Sequence, residues 1–374
     1  MQPLPFSVAE LERVLSPLEP CGLPRAAYTD EVVFALEREH IFGRAWSCVG
    51  REQELVRPGD FVRARVAGEE LLVVRGVDLE LRAFHNVCRH RGLLLVEPER
   101  GRSLELTCGY HGWSYEPSGA LRVAPYMPPS FRRECHGLTS VRLEVLHGFV
   151  FVCLDPRAQP LAEALDGAPE WLTKPELGHL RLGRSQSHEV AANWKLLVEN
   201  FQESHHFQSV HPALEQQTPS ASATSWACAG AWLGGLMELS PWLRTVALPS
   251  TRERPFIVPE AERGRVADAL AMPALLTSLQ PDYLLTYHLE PLSATRTRVT
   301  ANTYFHAAAF APELQAEDVF AFWDRVNRED RQICERQQLG LASRSFERAS
   351  YSLLEEGTHA FDQWVARRYL ELTR

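Results

Sequence analysis

The chain of 374 residues has no basic tract, no apolar run of membrane-spanning length and no G-x-G-x-x-G opening a helix after a strand. Each absence removes a class of function. Lys and Arg total 39 against 48 Asp and Glu, a formal charge of −9. Nucleic-acid binding needs clustered cations on one face, so no nucleic-acid partner is expected. Without a stretch of about 20 apolar residues no membrane partner is expected either. Met1 to Pro20 mixes Pro, Glu and Arg and does not read as a signal peptide, which predicts a cytoplasmic protein. The missing glycine fingerprint excludes a nicotinamide or flavin site of the familiar kind. Internal repeats and low-complexity tracts are also missing.

What the chain does have is apolar surface, 45% of its residues with nine tryptophans, enough for two ordinary cores. Its eight cysteines are scattered. Cys21, Cys48, Cys135, Cys153, Cys228 and Cys334 read as free thiols of a reducing compartment. The remaining two, Cys88 and Cys108, each have a histidine close by.

Cys88 and His90 form C-x-H; seventeen residues later Cys108 and His111 form C-x2-H. A zinc finger groups its cysteines in one knuckle and its histidines in another. Here each loop offers one thiolate and one imidazole. That arrangement suits a binuclear cluster with both cysteines on one iron and both histidines on the other, a Rieske [2Fe–2S] centre. Structural zinc is the competing reading. Asn86 to Gly92 and Cys108 to Trp113 sit between short apolar runs such as Leu71 to Val74, Val141 to Leu146 and Gly148 to Leu154, so both are expected at hairpin tips of an all-β domain.

Beyond Asp155-Pro156 the character changes. Asn193 to Phe207 is predicted helical, placing Glu199, Glu203 and His206 on one face, with His211 just past the turn that Pro212 helps to end. Strands are predicted at Tyr283 to Leu289 and Thr297 to Tyr304, and a long helix from about Pro312 to Leu339. Two imidazoles meeting near a helix end favour iron, and iron that activates dioxygen takes two histidines and one carboxylate. Trp323, Val326, Ile333 and Gln337 define a face of the long helix that includes Asp330, whereas Asp324 lies one position off it and reads as an exposed acid. His205, beside His206, is an alternative ligand.

The cluster loops, the segment from Tyr115 to Gly119, the run N-W-K-x3-E-N-x2-E-x2-H-x4-H from Asn193, Pro281-Asp282-Tyr283 and Glu329-Asp330 resemble the α subunit of Rieske non-haem iron oxygenases, ring-hydroxylating enzymes. The branch with choline and betaine monooxygenases is the most similar. Gly109 stands where that family usually has proline, which is expected to loosen the loop without touching a ligand. The resemblance implies an α+β protein: residues 1–45 as a helical segment packing on the catalytic domain, 46–156 as an all-β Rieske domain, and 157–374 as a catalytic domain with an antiparallel sheet packed by helices, of helix-grip type.

It further implies that Cys88, His90, Cys108 and His111 hold the [2Fe–2S] cluster and that His206, His211 and Asp330 hold mononuclear Fe(II). Glu203 would bridge the two centres, hydrogen-bonding His206 and a cluster histidine, His111, across the interface of a head-to-tail homotrimer. Electrons would come from a separate NAD(P)H-dependent reductase, with or without a ferredoxin. With dioxygen they would hydroxylate or oxidatively N-dealkylate a small quaternary amine, caged by some of Trp226, Trp232, Trp242, Tyr283, Tyr287, Tyr304 and Phe305. Oxidation of an aromatic or heterocyclic substrate is the alternative. Two further alternatives are a Rieske electron carrier and a zinc-stabilised ligand-binding protein; they differ in iron content, three per chain for the oxygenase, two for the carrier and none for the zinc protein.

Overall fold

The computed structural model describes residues 4–227 and 230–373. Cys228 and the side chain of Trp226 lie outside the described residues, and with them two of the sequence expectations. The chain divides into two compact units, Arg38–Ala164, and Met1–Glu37 together with Leu165–Arg374. Among the described residues no helix is long and apolar enough to cross a membrane.

The first unit is all-β, as expected. Its strands are β1 (Ser47–Arg51), β2 (Asp60–Val66), β3 (Glu69–Arg75), β4 (Leu81–His85), β5 (Arg100–Arg102), β6 (Leu106–Thr107), β7 (Ser114–Tyr115), β8 (Leu121–Val123), β9 (Ser140–Leu146) and β10 (Phe149–Cys153). Seven form one sheet in the order β1-β10-β9-β4-β3-β2-β5, while β6, β7 and β8 form a small separate sheet. The unbroken apolar run at 71–74 follows from burial on both faces. Successive side chains alternate across a strand, so Leu72 and Val74 join Phe61, Phe84 and Trp113 in one core, and Leu71 and Val73 join Val62, Val150 and Val152 in another. All four are fully buried. Each contributes roughly 1.5–3 kcal/mol by removal from water.

The second unit builds its sheet from β11 (Arg181–Val190), β12 (Thr224–Ala227), β13 (Trp232–Glu238), β14 (Arg265–Ala271), β15 (Leu275–Leu279), β16 (Tyr283–Ser293) and β17 (Arg296–Phe305). Every pairing is antiparallel, a meander from β12 to β17 with β11 added beside β17. A 25-residue helix, Glu317–Leu341, is tied to this sheet by hydrogen bonds from Trp323 Nε1 to Tyr283 Oη (2.7 Å) and from Tyr287 Oη to Asn327 Oδ1 (2.8 Å). It begins later than predicted because residues from Pro312 to Ala316 are not helical.

The helix predicted from Asn193 is also shorter, ending at Phe201. Asn193 caps its start, its Oδ1 accepting from the Lys195 N–H at 3.0 Å. The next two residues are held by Glu37: Trp194 Nε1 donates to Oε2 at 2.9 Å, and the Lys195 ammonium pairs with Oε1 at 2.5 Å, both charges fully buried. At the other end Thr358 Oγ1 donates to the Glu199 carbonyl, satisfying a group that a helix end leaves open. A Cβ at Gly357 would stand 2.7 Å from the Gln202 carbonyl oxygen, so the C-terminal helix Glu356–Leu372 closes off the path that a longer helix would take.

Candidate cluster loops and metal centre

In the first unit the two Cys/His loops share one backbone design. The Cys88 N–H donates to the Leu93 carbonyl (2.8 Å) and its carbonyl accepts from Gly92 (3.0 Å); the Cys108 N–H donates to the Trp113 carbonyl (2.8 Å) and its carbonyl accepts from Gly112 (3.1 Å). Both turns need a left-handed residue, Gly92 at φ +78° and Gly112 at φ +70°. The second loop is the tip of the β6–β7 hairpin. Nothing lies within 4 Å of a Cβ added at Gly109, so the departure from proline meets open space.

These turns bring like ligands together. The Cys88 and Cys108 thiols interact directly, and the His90 and His111 rings are 4.6 Å apart, edge to face. His90 stacks on Trp113 at 4.8 Å, and its Nδ1 is buried without a hydrogen-bond partner. An orphaned imidazole nitrogen beside paired thiols fits a metal group. Thiol beside thiol and imidazole beside imidazole suits a binuclear cluster with both cysteines on one iron and both histidines on the other. Tyr115 Oη accepts from the Arg89 N–H at 2.9 Å and lies 3.5 Å from Cys88 Sγ, a ready donor to that sulfur.

In the second unit the truncated helix changes the expected face. Glu199 remains on the helix and accepts from Tyr28 Oη at 2.8 Å, whereas Glu203 and His206 sit in the turn beyond it. That turn lets Glu203 fold back on His206: Oε2 accepts its N–H at 3.1 Å, and Oε1 is 2.5 Å from Nδ1. His211, at the junction of the short helices Phe207–Val210 and Pro212–Glu215, is 1% exposed, and its Nδ1 is 2.7 Å from Glu329 Oε2.

With both Nδ1 atoms held by acids, both Nε2 atoms face Asp330: Oδ1 is 2.7 Å from His211 Nε2 and 3.6 Å from His206 Nε2. One donor atom from each of the three residues lies within 4.8 Å of the others, the only such group found among the described residues. Burial opposes charge on His206, but its bonds to Asp330 and Glu203 outweigh that and push it up to about 9. Asp330 is held below the usual carboxylate range by the same contacts, against the effect of its burial. Protons thus sit where a cation would, and a metal ion entering the group displaces them. His205 turns away, half exposed, towards Ser352 and Glu355. Asp324, expected to be solvated, instead pairs with Arg184 of β11.

The triad opens onto a cavity walled by the concave sheet and the long helix, with Phe201, Phe207, Tyr287 and Trp323 as its aromatic lining. Of the aromatic residues singled out from sequence, Tyr287 lines it. Trp232, Tyr283, Tyr304 and Phe305 are buried core, and Trp242 is exposed in a different groove. Glu329 and the cavity acid Asp268 were missed as individual contributors. A lone acid in the apolar run at 266–271 was a visible signal for the last.

The ring-hydroxylating alpha subunit (catalytic domain) family matches residues 177–371, more than half of the chain, and the Rieske [2Fe-2S] domain family matches residues 45–143. The chain belongs to the Rieske-type ring-hydroxylating oxygenases. Like other members of this family, it carries a [2Fe–2S] cluster and mononuclear iron and takes its electrons from a separate reductase. This Rieske oxygenase is 27% identical over 385 residues to the glycine betaine monooxygenase oxygenase subunit of Pseudomonas aeruginosa, covering 93% of this chain and 89% of that one. It is 36% identical over 201 residues to the carnitine monooxygenase oxygenase subunit of Escherichia coli K12, covering 53% and 54%. A solved quaternary ammonium Rieske monooxygenase, described in terms of carnitine oxidation and inter-subunit electron transfer, superposes with a TM-score of 0.82 at 25% identity over 95% of this chain and 97% of that one.

Proposed function

We propose that this oxygenase hydroxylates or oxidatively N-dealkylates a small quaternary amine, with Cys88, His90, Cys108 and His111 holding its cluster and His206, His211 and Asp330 its iron. The observation that carries the substrate class is the cavity: four aromatic side chains beside the triad, the environment in which a trimethylammonium group gains cation–π stabilisation. The quaternary-ammonium relatives point the same way.

When bound, the cluster supplies electrons singly and the iron supplies the site of dioxygen activation. The residues do the rest. Glu203 and Glu329 would hold the Nδ1 protons, so that each imidazole, once freed of its second proton, turns its Nε2 to the same point. The aromatic walls hold the substrate and exclude water. In the net reaction one oxygen atom enters a substrate C–H bond; the other leaves as water, taking up two electrons from the reductase and two protons. A carbon hydroxylated next to the nitrogen then separates as an aldehyde, leaving a tertiary amine.

The chains are proposed to form a head-to-tail trimer in which Glu203, its side chain 12% exposed, also meets a cluster histidine of a neighbouring copy. Outside the cluster loops, Cys21, Cys135, Cys153 and Cys334 are free thiols, which fits a reducing, cytoplasmic location. The test is oxygen uptake with product detection, using iron-loaded protein and a surrogate reductase, on a panel of trimethylammonium compounds against a panel of aromatic acids. Hydroxylated or demethylated amine is expected. Product from the aromatic acids alone overturns the substrate class.

A further inference from the structure

Strand β14 reads Arg-Val-Ala-Asp-Ala-Leu-Ala, and its two-residue period places Val266 and Asp268 on the face that lines the cavity. An acid there is costly unless something answers its charge. Its partner across the ladder on one side is Gly235, which has no side chain to offer; on the other side it is Ser278. Ser278 Oγ accepts from Gln280 Nε2 at 2.9 Å, which leaves its own hydrogen for Asp268. Two acceptors remain: Asp268 Oδ1 and Gln280 Oε1 are both buried without a hydrogen-bond partner, and both residues line the cavity.

The strip of Gln280, Ser278 and Asp268 therefore faces the substrate space with two unanswered acceptors. Among the described residues no basic side chain holds the carboxylate ionised: burial pushes it up to about 7, and Ser278 alone acts against that. The strip lines the same cavity as the triad and Tyr287. A positive group in this cavity would have both an aromatic ring, Tyr287, and a carboxylate, Asp268, in its lining.

We propose that Asp268 is the specificity-determining anion of the cavity, taking the cationic nitrogen of the substrate and selecting it over neutral compounds of the same shape. This rests on the quaternary-amine reading for its substrate, and names the residue that recognises the charge.

The test is calorimetric titration of the iron- and cluster-loaded protein, wild type and Asp268→Asn, with choline, glycine betaine and L-carnitine, and with 3,3-dimethylbutan-1-ol as a neutral isostere of choline. At least one cation is expected to bind the wild type, and its Kd to rise tenfold or more in the variant, while the neutral alcohol moves less than twofold. A merely structural carboxyl would weaken both equally or neither. Either of those results, or no cation binding to the wild type, overturns the inference. If Asp268→Asn does not fold, as judged by melting and iron content, Asp268→Ser is read in the same way. Asp268-dependent binding without turnover of any amine keeps the inference and removes the substrate assignment; turnover of an amine with Kd unmoved by the variant does the reverse.

Discussion

The two metal-binding regions are assembled by opposite means. In the Rieske unit the backbone sets the geometry: two loops repeat the same pair of hydrogen bonds around Cys88 and Cys108, each closed by a left-handed glycine. The side chains need little outside help, and His90 keeps a bare buried Nδ1. In the catalytic unit the side chains set the geometry. His206 and His211 lie in irregular turns, each ring is aimed by a carboxylate, and the third member of the group comes from 119 residues further on. A locally templated site depends on turn conformation; one assembled from distant parts depends on docking the helix Glu317–Leu341 against the sheet.

The sharpest way to break this comparison is to strike each region at its own weak point. Gly112→Val forces a β-branched residue into φ +70°, costing about 2 kcal/mol or more of local strain. It is expected to abolish the cluster's visible and electron paramagnetic resonance signals and leave one iron per chain. Asp330→Ala should do the converse, keeping two irons and the cluster spectrum while turnover falls on the order of a thousandfold, since it removes the carboxylate that meets both histidines. Iron-to-protein ratios and spectra read both variants. Loss of all three irons in either would mean that the regions are not built independently.

The same contrast explains what the sequence disclosed. The cluster loops were legible residue by residue, because everything that forms them lies within the loops. The double-sided burial of Leu71 to Val74 was less so, since an apolar run alone does not say how many faces are covered. Helical periodicity favoured Asp330 over Asp324, and Asp330 is the acid that lies beside the histidines, but the face carrying Glu199, Glu203 and His206 does not exist. The helix stops at Phe201 because Gly357 and Thr358 of the C-terminal helix meet its end, a tertiary fact with no local signal. The cavity aromatics were misjudged for a related reason: three of the four sit on or beside helices, and the strand aromatics that looked available mostly point into the core.

Glu203→Gln sharpens the comparison at the next level, because it leaves every proposed metal donor in place. The amide retains an oxygen to accept from His206 but loses the charge that supports the imidazole. Three irons per chain and a normal cluster spectrum are expected, with turnover reduced on the order of a hundredfold. Near-normal turnover in an iron-replete variant would remove Glu203 from any role between the centres.

The smallest effect is expected at Glu329, and the reason lies in its surroundings. It matches Glu203 in function, a carboxylate oxygen 2.7 Å from the Nδ1 of the other histidine, but its side chain is 31% exposed where that of Glu203 is 12%. Water therefore screens its charge and can replace part of its hydrogen bonding. His211, 1% exposed, is also held by close packing, so its ring should keep its direction when the acid is weakened. Glu329→Gln is thus expected to loosen iron by about tenfold, the low end of the range for residues supporting a metal ligand. Glu329→Ala, which removes the acceptor as well as the charge, should approach a hundredfold. Competition of each variant against a chelator measures both values. Equal affinities for the two variants would show that charge alone matters at this position; a wild-type affinity in Glu329→Ala would show that packing around His211 fixes the ring without any acid, and the catalytic site would then be partly templated by its surroundings, as the cluster loops are.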